Sequence, residues 1–273
     1  MLVAAVQLTS TSNKKKNLSV ATSLMQRAAR QGAKLIALPE CFSFMGSRAE
    51  ILREAERPED GLAYRAMRNF AKKNEVYVLA GSIATRSEKK SKRVWNRSVL
   101  FGPTGDDLAT YDKIHLFDAH LTQTHSYRES ALFERGSTPT VVDTPFGKLG
   151  LTICYDLRFP ELFRNLALRG AKLIFVPAAF TLYTGKDHWL TLLKARAIEN
   201  QVYIVAPGQI GKHPEGNVSF GKTCVIDPWG NIVALASDCE TAIMADIDFK
   251  FLSKVRKELP ALKHLRKDLF RFV

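Results

Sequence analysis

The segment Gly32-Ala33-Lys34-Leu35-Ile36-Ala37-Leu38-Pro39 recurs later in the chain as Gly170-Ala171-Lys172-Leu173-Ile174-Phe175-Val176-Pro177. Each copy follows a helical pattern that its glycine ends, and each holds a short apolar run typical of a buried strand. The distance between the copies is far too long for the repeat of a solenoid. The two segments therefore predict a doubled α/β sheet.

The rest of the chain alternates amphipathic helices with single buried strands, and hairpins interrupt this pattern. Predicted helices include residues 14–31, 61–74, 161–170 and 187–200, and predicted strands include 1–8, 76–82 and 148–154. Residues 114–136 read as an irregular polar loop, within which 114–130 are a candidate lid. No linker composition appears, so we expect mixed sheets in one domain over residues 1–273. Its basic tail, from about residue 260, is expected to pack at a subunit interface.

Composition and cysteine spacing narrow the class of protein. Hydrophobic residues make up 46% and charged residues 25% of the 273 positions, as in ordinary globular proteins. The N-terminus lacks the basic region of a signal peptide, and no apolar run approaches the ~18 residues of a membrane span. The four cysteines form no C-x-x-C pair, and the six histidines show no metal-site spacing. We expect a reduced, cytoplasmic protein without metal or cofactor.

The net charge of +13 admits a nucleic-acid surface or an acidic substrate. The basic residues are scattered, however, over Lys14–Lys16, Lys89–Arg93 and a tail from Arg256 to Arg271. They form no single stripe with interleaved aromatic residues. A solvated surface is the favoured interpretation, with no specific nucleic-acid or membrane partner. Weak binding to polyanions at low salt remains the alternative.

A cysteine stands where an apolar run ends, in Leu149-Gly-Leu-Thr-Ile153-Cys154, and a helical pattern follows it. Ligands of α/β proteins bind where strands end, and backbone N–H groups near a helix start can lower the pKa of a thiol. Cys154 is therefore a candidate nucleophile. On this stretch alone, a buried apolar cysteine is an equally good interpretation.

Two further reactive side chains follow predicted strands, namely Glu40 and Lys113. A carboxylate can accept the thiol proton of Cys154, and the resulting thiolate can attack an amide or nitrile carbon. A lysine ammonium and the backbone N–H of Tyr155 would stabilise the oxyanion that forms. Taken singly, Glu40 and Lys113 could equally be surface charges, but together the three residues predict covalent hydrolysis.

Three motifs around these residues strongly resemble the signatures of the nitrilase (carbon–nitrogen hydrolase) superfamily. They are Leu38-Pro-Glu40, Tyr111-Asp-Lys113-Ile-His115-Leu-Phe-Asp118 and Ile153-Cys154-Tyr-Asp-Leu-Arg158-Phe-Pro-Glu161. The resemblance implies Glu40 as general base, Lys113 as stabiliser of the tetrahedral intermediate and Cys154 as nucleophile. It also implies a four-layer α-β-β-α sandwich with two mixed sheets, and a homodimer or higher homo-oligomer.

The same resemblance adds candidate residues around the catalytic three. Tyr127-Arg-Glu129-Ser130 is similar to the family's second-glutamate segment, which implies that Glu129 orients Lys113. Resemblance also places Phe180 and Thr184 in the substrate pocket. A carboxylate-bearing substrate calls for a cationic fork, and Arg158, just after the nucleophile, is the natural candidate. Its alternative role is an ion pair with Asp156 or Glu161.

Further stretches, among them Asp227-Pro-Trp-Gly230, resemble the Nit branch of the superfamily. The resemblance implies an amidase that splits deaminated glutathione into 2-oxoglutarate and cysteinylglycine, a metabolite-repair reaction, through a Cys thioester. Lys222 stands where this branch usually has His. The alternative activity is that of an ω-amidase on α-ketoglutaramate or succinamate. A binding protein that keeps the fold without activity is the alternative from another class.

Overall fold

The computed structural model describes residues 1–87, 92–120, 126–266 and 268–269. The strands of these residues, β1 to β16, are Leu2–Gln7, Leu35–Ala37, Tyr77–Arg86, Val94–Phe101, Asp107–Asp112, Asp118–His120, Ser126–Arg128, Thr140–Thr144, Gly147–Leu151, Leu173–Phe175, Tyr203–Ala206, Ile210–Lys212, Val218–Phe220, Cys224–Ile226, Ile232–Leu235 and Thr241–Asp246. The helices, α1 to α6, are Lys14–Arg30, Arg48–Glu54, Leu62–Asn74, Pro160–Leu168, Leu182–Asn200 and Phe249–Glu258.

Two six-stranded mixed sheets share one topology. The first has the order β16-β1-β2-β3-β4-β5, and the second has the order β15-β14-β11-β10-β9-β8. In the first sheet β1, β2 and β3 run parallel, and in the second β9, β10 and β11 run parallel. The repeated segments supply β2 and β10, which occupy the middle of these parallel triplets. The predicted doubling of the sheet is therefore confirmed.

Side-chain alternation along β1 shows how the layers are stacked. Val3 and Ala5 point into a core shared with the second sheet, whereas Ala4 and Val6 point into a core shared with α1 and α3. Because successive strand residues face opposite sides, a strand buried on both faces must be apolar throughout. On the far side of the second sheet, α4 and α5 complete four layers, α-β-β-α.

Helix α5 packs on the second sheet through Trp189, one of the largest fully buried side chains. Trp189 is fully buried, and its indole Nε1 donates to the carbonyl of Lys222 at 2.9 Å. The helix begins at Leu182, five residues before the predicted start, because the Thr181 hydroxyl caps the N–H of Thr184. Gly185 also lies in this first turn, against Phe220.

The predicted strand at residues 148–154 is too long. Strand β9 ends at Leu151, and Cys154 opens a 3₁₀ helix over residues 154–158 with a left-handed φ of 47°. Pairing with β8 stops because the N–H of Ile153 donates to Asp156 Oδ2 at 2.8 Å, whereas the N–H of Cys154 still donates to the chain that follows β10. The nucleophile candidate thus sits on a tight turn beyond the strand.

The segment at residues 114–136 is more ordered than predicted. It contains the antiparallel pair β6 and β7 and a 3₁₀ turn at Glu129–Ala131. Residues 121–125 lie outside the described residues, so the lid prediction stays untested. Residues 88–91, which include the start of the basic segment Lys89–Arg93, and residues 267 and 270–273 of the tail also lie outside the described residues. Within the described ranges, no helix combines the length and the apolar character needed to cross a membrane.

Two glycines let backbone segments pass closely just before the predicted site residues. A Cβ on Gly81, in β3, would lie 2.0 Å from the carbonyl oxygen of Leu38 and 2.2 Å from that of Pro39. A Cβ on Gly136 would lie 2.0 Å from the carbonyl oxygen of Asp112. The first contact fixes the chain that leads to Glu40, and the second fixes the chain that leads to Lys113.

Gly81→Ala should lower the free energy of unfolding by about 3 kcal/mol, because the added methyl group overlaps backbone that cannot move independently. Thermal and urea unfolding followed by circular dichroism measure the effect. Gly208→Ala is the matched control, since its Cβ would have no neighbour nearer than 3.3 Å. Equal losses in both variants would contradict the close-approach explanation.

Candidate active site

A buried lysine joins two carboxylates at the edge of the first sheet. Lys113 follows β5, and its side chain is only 2% exposed. Its Nζ donates to Glu40 Oε1 at 2.9 Å and to both carboxylate oxygens of Glu129 at 2.9 Å. The Glu129 carboxylate also accepts the N–H of Phe117 at 2.6 Å. The structure thus brings these three predicted residues together.

The thiol of Cys154 lies at the same place but belongs to the second sheet. Its N–H donates to the carbonyl of Pro177 at 2.9 Å, at the end of the second repeated segment. Its thiol lies close enough to the Glu40 carboxylate for each group to shift the pKa of the other. The side chain is buried, yet it borders an open cavity. Glu40, Lys113 and Cys154 therefore form one connected group.

The Glu40 carboxylate is held from both sheets. Oε1 accepts Lys113 Nζ and Asn96 Nδ2, the latter at 2.9 Å, while Oε2 accepts the N–H of Ala179 at 2.8 Å. Gln209 Nε2 adds a contact to the Glu40 carbonyl at 2.9 Å. With this many donors, the carboxylate has one orientation relative to the thiol.

Asp156 anchors the turn that carries the nucleophile candidate. It is fully buried, and its Oδ2 accepts from Tyr111 Oη at 2.7 Å and from the N–H of Ile153. The other oxygen accepts the N–H of His115 at 3.0 Å and contacts His115 Nδ1 at 2.7 Å. Because these donors belong to the segment around Lys113, Asp156 ties the lysine and cysteine segments together.

Burial and the charges of neighbouring groups shift the pKa values of Glu40, Glu129 and Lys113 in different directions. Burial opposes ionisation of Glu40, but the Lys113 ammonium and its hydrogen bond hold the pKa of Glu40 below its ordinary value. Burial raises the pKa of Glu129, against the opposing attraction of Lys113. Burial would lower the pKa of Lys113, but Glu129 and Glu40 hold it well above its ordinary value. Lys113 and Glu40 are therefore both ionised near neutral pH.

Burial and the nearby Glu40 carboxylate raise the pKa of the Cys154 thiol well above its ordinary value. The resting cysteine is therefore a thiol that donates its proton towards an ionised acceptor. A thiol of this kind becomes a nucleophile only as the acceptor takes its proton. The arrangement can support general-base-assisted attack by sulfur beside a fixed ammonium, which is the electrostatic requirement of acyl transfer.

Cys154 lines two adjoining cavities, called here the narrow lobe and the wide lobe, whose walls also share Phe117, Ala179 and Thr181. The narrow lobe, about 20 Å³, is lined by Tyr155, Arg158, Phe180 and Thr184. The wide lobe, about 360 Å³, borders Glu40, Lys113 and Glu129 and extends towards α2, β7 and the β12–β13 hairpin. The three predicted substrate-binding residues, Arg158, Phe180 and Thr184, thus all line the narrow lobe, whereas Glu40, Lys113 and Glu129 line the wide lobe.

Arg158 does not form the ion pair that was its alternative role. The oxygens of Asp156 are occupied by the donors described above, and Arg158 instead contacts His188 Nδ1 at 3.3 Å. Its guanidinium lies 5.2 Å from the ring centre of Phe180 and 6.0 Å from that of Tyr155. Thr184 Oγ1 is 2.8 Å from Thr181 Oγ1. The guanidinium therefore borders the lobe without an acidic partner among the described residues.

Two residues of the site were missed by sequence reasoning. Asn96 lies inside β4, and its Nδ2 donates to both Glu40 and Glu129, the second at 3.2 Å. The polar run Asn96-Arg-Ser98 between apolar residues of β4 was the available signal. Asp156 was considered only as an ion-pair partner. Elsewhere on α5, Arg196 and Glu199 form an ion pair at 2.9 Å.

Comparison with known proteins gives consistent matches over nearly the whole chain. The family model described as "Carbon-nitrogen hydrolase" matches residues 2–257. Deaminated glutathione amidase of Synechocystis sp. is 43% identical over 96% of this chain and 97% of its own. Omega-amidase NIT2 of Mus musculus is 38% identical over 98% of this chain and 96% of its own.

The fold has a close match among solved structures. The crystal structure of the NitFhit protein of Caenorhabditis elegans superposes with a TM-score of 0.93 at 37% identity. The match covers 99% of this chain and 66% of that longer chain. The four-layer sandwich predicted from the sequence is therefore confirmed.

Glu40→Gln should lower the pKa of the Cys154 thiol, because it removes the negative charge that opposes thiolate formation. Thiolate absorbance at 240 nm, titrated as Glu40→Gln minus Glu40→Gln/Cys154→Ala, reports this thiol without the other cysteines. The reference is wild type minus Cys154→Ala. A pKa that stays the same or rises would show that the carboxylate does not face the thiol.

Proposed function

The chain belongs to the carbon–nitrogen hydrolase family and is a hydrolase of amide C–N bonds, and we propose that its substrate is deaminated glutathione. Hydrolysis of that amide yields 2-oxoglutarate and cysteinylglycine. The observation that carries the proposal is the two-lobed cavity at Cys154, with Arg158 bordering the narrow lobe. The relative from Synechocystis that carries the name of this activity supports it.

In the proposed first half-reaction, Sγ of Cys154 attacks the amide carbon while Glu40 accepts the thiol proton. The C=O electron pair moves to oxygen, and the closeness of the thiol and the carboxylate supports this proton path. When the tetrahedral intermediate collapses, the C–N bond breaks. Glu40 returns the proton to the departing nitrogen, and a Cys154 thioester remains.

In the second half-reaction, Glu40 takes a proton from water and the oxygen attacks the thioester carbon. The C–S bond then breaks, and Glu40 gives the proton back to the sulfur of Cys154. Glu40 keeps the same place throughout because donors from both sheets hold it. Its lowered pKa supplies the ionised form that each half-reaction requires at the start.

Lys113 is proposed to stabilise the oxyanion, together with the backbone N–H of Tyr155. The ammonium is already ordered by Glu40 and Glu129, so it needs no rearrangement as charge develops on the substrate oxygen. Glu129 is proposed to position Lys113. Removing one donor of this kind typically costs about 10²–10³ in rate.

Arg158 is proposed to recognise the carboxylate of the α-keto acid. It borders the narrow lobe beside the nucleophile and carries a planar fork of donors that suits a carboxylate. Phe180 would contact the acyl chain, and Thr184 would donate a hydrogen bond to it. The aromatic rings of Phe180 and Tyr155 lie beside the guanidinium.

A second candidate is ω-amidase activity on α-ketoglutaramate or succinamate. The similarity to the mouse ω-amidase favours it, and these substrates share the acyl half of deaminated glutathione or a close analogue of it. Only the departing group differs, since ammonia replaces a dipeptide. Comparing kcat/KM for deaminated glutathione and α-ketoglutaramate separates the two functions.

We also propose one domain over residues 1–273, a homodimer and a cytoplasmic location. Exposed apolar side chains of Ile198, Trp229, Val233 and Leu235 support self-association, because each is 45% to 56% exposed. The interface role of the basic tail and the location stay predictions. Sedimentation at several protein concentrations tests the assembly.

Wild-type protein should release 2-oxoglutarate from deaminated glutathione, and Cys154→Ala should reduce the rate to background. Mass spectrometry of acid-quenched wild type should show a Cys154 acyl adduct, which Cys154→Ala lacks. Coupled oxidation of reduced nicotinamide by glutamate dehydrogenase measures the product. Release of 2-oxoglutarate by Cys154→Ala at the wild-type rate would contradict the proposed mechanism.

Arg158→Gln should lower kcat/KM for α-keto-acid amides by about 10- to 100-fold, the value of a hydrogen bond to a charged group. The neutral substrate butyramide should be affected far less, because it has no carboxylate to lose. Arg169→Gln, at the end of α4, is the matched control. Equal losses on both substrates would assign Arg158 a purely structural role.

A further inference from the structure

The wide lobe reaches well beyond the residues that the proposed chemistry uses. Its outer wall is formed by Met45 and Arg48 next to and in α2, by Tyr127 and Arg128 in β7, and by Asn217. Tyr127 Oη donates to Asn217 Oδ1 at 3.2 Å, which links β7 to the β12–β13 hairpin across the lobe. The wall is thus assembled from segments distant in sequence, around one opening.

The position of Cys154 divides any substrate between the lobes. Hydrolysis splits the substrate at the carbon bound to sulfur, so one half stays on the cysteine and the other leaves. Cys154 lines both lobes, and the narrow lobe, at about 20 Å³, has room for little more than one water molecule. With the carboxylate of the acyl half turned to Arg158 beside Cys154, the wide lobe is the part of the cavity with room for the departing amine.

The size of the wide lobe shows what kind of amine it fits. Its volume is about 360 Å³, whereas the narrow lobe has about 20 Å³. In the same measure a water molecule, which is about as large as a departing ammonia, needs only ~10–15 Å³. A dipeptide is several times larger and branched. The wide lobe therefore matches a peptide leaving group better than ammonia.

The charges of the wide lobe point to an anionic end on that amine. Its two carboxylates, Glu40 and Glu129, are both bound to Lys113. Burial lowers the pKa of His213, whose ring is engaged by Ser10 and Ser219, so it is neutral. Arg48 and Arg128 remain.

Both arginines are exposed, and neither has a carboxylate within ion-pair distance among residues 1–87, 92–120, 126–266 and 268–269. Arg128 lies opposite Asp118 in the β6–β7 pair and helps to lower the pKa of that carboxyl, but the two form no ion pair. Exposed cations that border a cavity are suited to bind an anion from solution.

We infer that the wide lobe binds a peptide leaving group and that Arg48 and Arg128 bind its terminal carboxylate. The inference rests on the proposed function and names the residues that would separate deaminated glutathione from short primary amides. The substrate then carries a carboxylate at each end and the scissile amide between them. The cavity has arginine in each lobe and the nucleophile at the junction.

The experiment compares kcat/KM for deaminated glutathione with kcat/KM for α-ketoglutaramate in wild type, Arg48→Gln, Arg128→Gln and the double variant. The ratio of the two should fall about tenfold in each single variant and about a hundredfold in the double variant, as expected for charge-assisted hydrogen bonds. Arg53→Gln is the matched control, because Arg53 lies on the same helix, has a 68% exposed side chain and lies outside the lobe.

A deaminated glutathione whose glycine ends in a neutral carboxamide completes the design. For wild type, replacing the acid by this carboxamide should lower kcat/KM about as much as the double substitution lowers kcat/KM for the acid. For the double variant, kcat/KM should be the same with the carboxamide as with the acid. Equal ratios in wild type and the double variant, with wild type active on deaminated glutathione, would overturn the inference alone. A wild type that hydrolyses α-ketoglutaramate but not deaminated glutathione would overturn the proposed function instead.

Discussion

One buried carboxylate, that of Glu40, holds the two sheets in register at the site. Its Oε1 is bound by Lys113 and Asn96 from the first sheet, and its Oε2 is bound by the N–H of Ala179 from the second. Burying an isolated charge is costly, so this carboxylate requires all of its donors. Lys113 in turn requires Glu129, because a buried ammonium needs hydrogen-bond acceptors for its protons and Glu40 supplies only one of them. The geometry of the thiol follows from this network.

The doubled topology explains how equivalent positions acquire different tasks. The first repeated segment ends in Pro39 and delivers a side chain, Glu40. The second ends in Pro177 and contributes backbone groups instead. The carbonyl of Pro177 accepts the N–H of Cys154, and the N–H of Ala179, two residues later, donates to Glu40. The strand ends of the two sheets thus face each other, one with a side chain and the other with peptide groups. Two similar local sequences build one asymmetric site.

Much of this architecture could be predicted, because it depends on local patterns. The repeated apolar segments identified the central strands β2 and β10, and placement at strand ends identified Glu40 and Lys113. The turn at Cys154 could not be read in the same way. Its shape depends on Asp156, which binds Tyr111 and His115 more than 40 residues away in the chain. Asn96 was missed for the same reason, since its partner Glu40 is 56 residues distant.

The junction of the two lobes has a kinetic consequence. If the acyl half stays on Cys154 with its carboxylate towards Arg158, the amine must leave the wide lobe before water can approach the thioester. The reaction then follows a double-displacement order, with water as the second substrate. The vacated lobe is large enough for other nucleophiles besides water. An amine that entered it would receive the acyl group, so the same cavity that selects a leaving group also makes the enzyme a potential acyl transferase.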